Sequence, residues 1–245
     1  MTRASKTSFA RSFGAAADVY ERARPGYPSD AVDRMLPPGA RRVLDLGAGT
    51  GKFTRSLVER GLEVVAVEPL EGMRAELARV LPEVEALEGT AESIPLPDAS
   101  VDVVTAAQAW HWVDEERAVP EVARVLRPGG VLSLVWNIRD AEVDWVRRLG
   151  RVINEGWTGD DDVHPDPGGP FGTPERYRTR WVQRLDRAGL RELVLSRSYI
   201  IVLPEAERAE VLRRVDDLLD THPDTAGLDV LELPYATLVT RLPLR

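Results

Sequence analysis

The chain contains no cysteine, which rules out disulfides, thiolate metal sites and a cysteine nucleophile. It has no run of 18 apolar residues, so no membrane-spanning helix is expected. Lysine is nearly missing: Lys6 and Lys52 are the only two among 32 basic residues, a bias that fits GC-rich coding and needs no functional explanation. Positive charge is in deficit overall, 32 basic against 40 acidic residues, for a net charge of -8 and a pI of about 5.1. Such a surface repels phosphate backbones, so nucleic acid is not expected as a partner. What remains, 245 residues at 43% hydrophobic and 29% charged, is an ordinary soluble globular composition with enough chain for one large core. Residues 1–17 are basic, contain serine and lack acids, as organelle transit peptides do. They run straight into an ordered motif, however, and a bacterial cytoplasm is the expected location.

The most informative stretch is Val43-Leu44-Asp45-Leu46-Gly47-Ala48-Gly49-Thr50-Gly51. An apolar run ends at an acid and is followed by three glycines on alternate positions. That pattern reads as a strand feeding a loop whose bare backbone can lie against a nucleotide-like ligand. Thr54, Leu57 and Val58 continue it as a short amphipathic helix. A second buried strand, Val64-Val65-Ala66-Val67, ends at Glu68, where a carboxylate can grip two ribose hydroxyls. Spacing alone leaves a nicotinamide dinucleotide open. The glycine pattern opposes it, because G-x-G-x-x-G would need glycine at Lys52 in one frame and at Thr54 in the other.

Hydrophobic periodicity predicts a helix over 8–23, a second one begun by a Ser29 cap, and then alternating strands and helices. Strands are expected at 42–46, 63–68, 84–88, 101–106 and 131–136, and helices at 51–60, 71–80 and 115–126. Repeated strand–helix units of this kind predict a parallel sheet covered on both faces. After residue 140 the regularity breaks. The reading there is a helix over 140–157, a Pro/Gly/Asp-rich loop over 159–172, a helix over 174–188, a strand over 193–203, a helix over 204–219 and a strand over 236–242. Asp160-Asp161-Asp162 near His164 reads as an acidic loop, and no metal site is expected.

Asp45-Leu46-Gly47-Ala48-Gly49-Thr50-Gly51 resembles the first motif of class I S-adenosylmethionine-dependent methyltransferases, and Glu68-Pro69 resembles their ribose-binding acid. Gly89-Thr90-Ala91-Glu92 with the Ile94–Val104 segment is similar to the adenine-side loop and fourth strand. Arg124-Val125-Leu126-Arg127-Pro128-Gly129-Gly130 is similar to the turn before the fifth strand. The block Tyr20–Pro28 is similar to one found in a small-molecule subgroup of methyltransferase type 11-like and trans-aconitate methyltransferase-like proteins.

The resemblance implies an α/β, Rossmann-like, doubly wound sheet of seven strands, mostly parallel with an antiparallel C-terminal edge. It implies a single domain: an N-terminal helical cap (1–38), a cofactor-binding core (40–139), a helical lid insertion (140–188) and C-terminal strands and helix (189–245). S-adenosylmethionine would be the cofactor. Its methionine portion would lie on Gly47, Ala48, Gly49, Thr50 and Gly51, with Asp45 holding the amino group directly or through water and Tyr20 and Arg24 closing over the carboxylate. Glu68 and Pro69 would hold the ribose, while Met73, Ala91 and Glu92 would meet the adenine. Met73 can equally be plain core, Glu92 a solvated acid, and Tyr20 and Arg24 part of a packing helix.

Gln108 follows the fourth strand, at the carboxyl end where open sheets place ligands. It is aimed at the methyl donor. Trp110, His111 and Trp112 would face the acceptor, His111 as general base for a hydroxyl nucleophile or merely as an ordering residue at the strand end. Arginines in and beside the lid, among them Arg139, Arg147 and Arg180, can recognise an acidic acceptor or simply be solvated. Asn-Pro-Pro followed by an aromatic, typical of enzymes that methylate nucleic-acid amines, is missing after the fourth strand. The expected reaction is methyl transfer to a small molecule at oxygen, by a monomer or homodimer without nucleic-acid or membrane partners. An RNA or protein methyltransferase and a non-catalytic binding protein are the alternatives.

Overall fold

The computed structural model describes residues 24–155 and 165–245. The expected helix over 8–23, Tyr20, and the Asp160–Asp162 and His164 cluster lie outside the described residues. The secondary structure begins with α1 (Ser29–Met35), β1 (Arg42–Leu46), α2 (Lys52–Val58), β2 (Glu63–Val67), α3 (Glu71–Val80) and β3 (Glu85–Leu87). It continues with β4 (Val101–Ala107), α4 (Glu115–Val125), β5 (Leu126–Arg139), α5 (Asp144–Ile153), β6 (Glu175–Asp186), α6 (Arg187–Leu195), α7 (Ser198–Ile201), α8 (Glu205–Thr221) and β7 (Val230–Pro243). The seven strands form one sheet in the order β3-β2-β1-β4-β5-β7-β6. The first five are mutually parallel, and the C-terminal edge is antiparallel.

β1, β2 and β4 are buried along nearly their whole length, so each is a run of Val, Leu and Ala rather than an alternation. Register places Asp45 of β1 beside Ala66 of β2 on one side and Thr105 of β4 on the other. The strand order reverses direction between β1 and β4, and such a switch point opens a crevice at the strands' carboxyl ends.

The chain divides into two compact units. One contains Gly26–Asn137, the described residues up to Thr179, and Thr237–Arg245. Its core packs Val32 and Met35 of α1 on Val43, Phe53 and Leu57. Arg60 pins α1 by donating to Asp33 and to the backbone and hydroxyl oxygens of Ser29. Ser29 is therefore the first helical residue, tied by its side chain to Arg60. The N-cap is Pro28, which makes no side-chain capping bond, so the expected Ser29 cap is not formed. The second unit is built on α5, α6 and α8, whose Trp145, Leu149, Leu190, Leu193, Val215 and Leu219 share a core with Leu233 and Tyr235 of β7.

Two expected elements are corrected. Residues 174–188 form a strand, β6, and not a helix. Arg176, Arg178 and Arg180 alternate there with Tyr177, Thr179 and Trp181, and burial follows the period of two. Residues 193–203 are helical rather than extended, spanning the end of α6 and all of α7. α6 begins where the Asp186 carboxylate accepts the Gly189 N–H at 2.7 Å, an N-cap that commits the following apolar residues to helical spacing. The sheet thus keeps seven strands, with a different sixth member.

Candidate active site

All three glycines of the loop after β1 are left-handed, Gly47 at φ +70°, Gly49 at +59° and Gly51 at +88°. The Gly47 and Ala48 amides donate to the Val67 carbonyl, which clips the loop onto the end of β2. A Cβ added at Gly47 would sit 2.7 Å from Ala109 Cβ, so the loop touches the turn that leaves β4. One added at Gly49 would meet nothing within 4 Å and would project into open space, the cradle that a ligand needs.

Two buried carboxylates flank this loop. Asp45 is 1% exposed. Thr54 donates its hydroxyl to Oδ2 at 2.6 Å, and Thr105 Oγ1 lies 3.2 Å from Oδ1. Burial, with a smaller contribution from the charge of Glu68, pushes the Asp45 carboxyl up to about 6. Glu68 is 6% exposed, and its oxygens accept the Gly49 and Leu70 amides, each at 3.0 Å. Burial raises its pKa too, against the two amide bonds and Arg74.

Met73, on the first turns of α3, is buried, as is Ala91. Glu92 accepts the Asp114 amide at 2.8 Å, just ahead of α4. Its pKa is lowered: burial pushes it up, and the hydrogen bonds from Asp114 and Thr90 with the charge of Arg117 outweigh that. Pro69 is exposed. The loop carrying Ala91 is held by Arg124, which donates to the Ile94 and Leu96 carbonyls while paired with Glu121 and Asp98. The Arg124 guanidinium, helped by the Ile94 amide and opposed by burial, brings the Glu121 pKa down to about 2.

The segment after β4 divides by exposure. Gln108 is left-handed at φ +56°, uncommon for a residue with a side chain and costing roughly 1–2 kcal/mol. Trp110 is buried in a short 3-10 turn and donates its indole N–H to Glu115 at 2.7 Å. His111 and Trp112 are exposed, Trp112 at 37%, with ring centroids 4.9 Å apart. In the second unit, Arg24 donates to the Ser196 carbonyl at 3.0 Å.

A family model of the methyltransferase domain matches residues 44–134, which run from β1 through most of β5. An uncharacterised methyltransferase of Mycobacterium tuberculosis is 53% identical over 240 residues, 98% of this chain and 98% of its own. The chain belongs to the class I methyltransferases. A malonyl-[acyl-carrier protein] O-methyltransferase of Methylococcus capsulatus is 40% identical over 133 residues, 50% of this methyltransferase and 48% of that protein. A solved structure from Anaeromyxobacter dehalogenans, provisionally assigned as a type II methyltransferase, superposes with a TM-score of 0.64 at 27% identity, covering 91% of this chain and 97% of the other.

Family membership implies S-adenosylmethionine, and the electrostatics of the loop fit it. Asp45 and Glu68 are both penalised by burial, so the site favours a ligand that brings positive charge. A sulfonium carrying an α-ammonium does so; a dinucleotide pyrophosphate would add negative charge beside two carboxylates. Sequence reasoning found both acids but missed Thr54 and Thr105 as the hydroxyls that hold Asp45, and missed Glu115 beneath Trp110. A threonine inside the apolar stretch Val103–Ala107 of β4 was the available signal.

Proposed function

We propose that this methyltransferase moves the methyl group of S-adenosylmethionine to an oxygen, carboxylate or hydroxyl, of a small cytoplasmic molecule. The observation that carries the donor is the pair of buried carboxylates around a glycine loop with an open face at Gly49. An oxygen acceptor is supported by the Methylococcus relative, itself an O-methyltransferase. The net charge of -8 favours a small molecule over nucleic acid. Among the described residues, no helix is long and apolar enough to cross a membrane. The working species is a monomer or homodimer.

S-adenosylmethionine supplies a methyl group already activated by its sulfonium, so the protein's main task is alignment, which can account for roughly 7–11 kcal/mol of barrier reduction. Asp45 receives the ammonium, Glu68 and Pro69 the ribose, and Met73, Ala91 and Glu92 the adenine. Trp110 shapes the acceptor side from beneath, while His111 takes the proton of a hydroxyl nucleophile and Trp112 covers the acceptor.

S-adenosylhomocysteine at 100 times its Kd should stabilise the protein by about 2.7 kcal/mol, a rise in Tm of about 5–10 °C, whereas NAD should give no shift. Incubation with methyl-labelled donor and a panel of carboxylic acids and alcohols then identifies the acceptor. A label released by mild alkali marks a methyl ester; an alkali-stable label on nitrogen or carbon would overturn the oxygen assignment. With a hydroxyl acceptor, His111→Ala should lower turnover by about 100-fold while leaving S-adenosylhomocysteine affinity intact; with a carboxylate acceptor, which carries no proton to remove, it should not. Near-normal turnover of the hydroxyl acceptor would remove His111 as base.

A further inference from the structure

We infer that Asn137 is a positioning residue for the methyl donor, acting through the Gln108 turn; the inference rests on the donor reading above. Asn137 lies near the end of β5, is only 9% exposed, and is hydrogen-bonded through its side-chain oxygen, its side-chain nitrogen and its backbone carbonyl. Its Oδ1 accepts the Thr237 hydroxyl of β7 at 2.6 Å. Its Nδ2 donates to the Gly26 carbonyl at 2.9 Å, which fixes the orientation of the amide. Its backbone carbonyl accepts the Gln108 side-chain amide at 3.0 Å.

Gln108 is the strained member of this set. Its left-handed φ would relax if nothing held it, and two bonds hold it: the side-chain amide to Asn137 and its own N–H to the Val135 carbonyl at 2.9 Å. The next residue, Ala109, is the one against which Gly47 packs with no room for a methyl group. A displacement at Asn137 is therefore passed through Gln108 and Ala109 to the glycine loop. The side-chain amide holds Gly26, at the entry to α1, and the Thr237 hydroxyl of β7, so the side chain fixes the stretch of backbone whose carbonyl holds Gln108.

The test is a double-mutant cycle read by calorimetric titration of the full chain with S-adenosylhomocysteine. Asn137→Ala keeps the backbone carbonyl that accepts from Gln108 but removes the two side-chain bonds that fix that stretch of β5, and Gln108→Ala removes the tether while keeping a Cβ at φ +56°, so the strain is free to relax. Each single variant should raise Kd by about 10-fold, and the double variant should also stand near 10-fold rather than near 100-fold, because both break one pathway. Hydrogen exchange at residues 108–112 should quicken in Asn137→Ala. Multiplicative losses, or an Asn137→Ala protein that binds as the wild type does, would overturn the role of Asn137. If Asn137→Ala does not fold, Thr237→Val, which removes only the hydroxyl on Oδ1, takes its place in the cycle with the same two outcomes. A wild-type protein that fails to bind S-adenosylhomocysteine overturns the donor reading and this inference with it.

Discussion

Gly47→Ala should lose S-adenosylhomocysteine binding by at least about 100-fold and lower Tm by about 5–10 °C. Two costs combine. Gly47 sits at φ +70°, where an L-residue costs roughly 1–2 kcal/mol. The new methyl would also stand 2.7 Å from Ala109 Cβ, an atom fixed to the backbone with no rotamer by which to retreat. Either the glycine loop or the Gln108–Ala109 turn must move, and each is tied down: the loop by the Gly47 and Ala48 amides on Val67, the turn by Val135 and Asn137. The total, about 3 kcal/mol, converts to that fall in Tm for a chain of this length. Gly49→Ala separates strain from obstruction. It pays a similar strain at φ +59° but clashes with nothing, so its Tm should fall less, while its methyl occupies the cradle and still blocks the ligand. Gly39→Ala, at φ +83° in open space away from the loop, controls for strain alone. Calorimetry and thermal melts of the three variants give the answer, and a Gly47→Ala protein binding within threefold of wild type would refute the close-packed loop.

The parts of this fold that were legible in the sequence are those whose burial imposes a single pattern. β1, β2 and β4 are covered on both faces, so their residues are mostly apolar with no polar alternation, broken internally only by Asp45 in β1 and by Asp102 and Thr105 in β4. Acids or glycines mark where β1 and β2 stop. The half-covered C-terminal elements were harder. Trp181, Leu185 and Ala188 are spaced by four and three residues, which a helix satisfies, although the alternation of Arg176, Arg178 and Arg180 with apolar or uncharged neighbours was the truer signal. Residues 193–203 carry the β-branched and aromatic composition of a strand, yet Leu190, Leu193 and Val194 enter the core at helical spacing beside Val215 and Leu219. Packing overrode propensity. In the site, the glycine loop and Glu68 were visible because they are local motifs. The Thr105–Asp45 contact depends on the β1–β4 register, and Asn137 meets Gly26 and Thr237 across 111 and 100 residues of chain. No local pattern encodes such meetings, and the left-handed Gln108 arises from them.

Asp45→Asn should make the empty protein more stable at pH 7.5 and nearly unable to bind the donor. The Asp45 carboxyl is pushed up from 3.8 to about 6, chiefly by burial. Its folded pKa therefore lies above its unfolded value, and between those two values the native chain holds more proton than the unfolded one. Stability conferred by the neutral acid is present below pH 3.8, is lost as pH rises through 6, and stays lost above it. The displacement corresponds to about 3 kcal/mol at neutral pH. Asparagine is isosteric and neutral, keeps an acceptor for one of the Thr54 and Thr105 hydroxyls, and ends the repulsion with Glu68. We expect it to recover about 1–2 kcal/mol, a Tm higher by a few degrees at pH 7.5, with the advantage shrinking as pH falls below 6. The cost falls on the ligand. An ammonium that meets an ionised Asp45 draws its pKa back down, so wild-type affinity for S-adenosylhomocysteine should fall up to about tenfold for each pH unit below 6. In Asp45→Asn, affinity should be about 100-fold weaker at pH 7.5 and flat across that range, because the proton-linked partner is gone. Titrations at pH 5, 6 and 7.5 with melts of both proteins decide the matter. A variant that is less stable at pH 7.5, or that keeps the wild-type pH dependence of binding, would show that Asp45 serves the fold and not the ammonium.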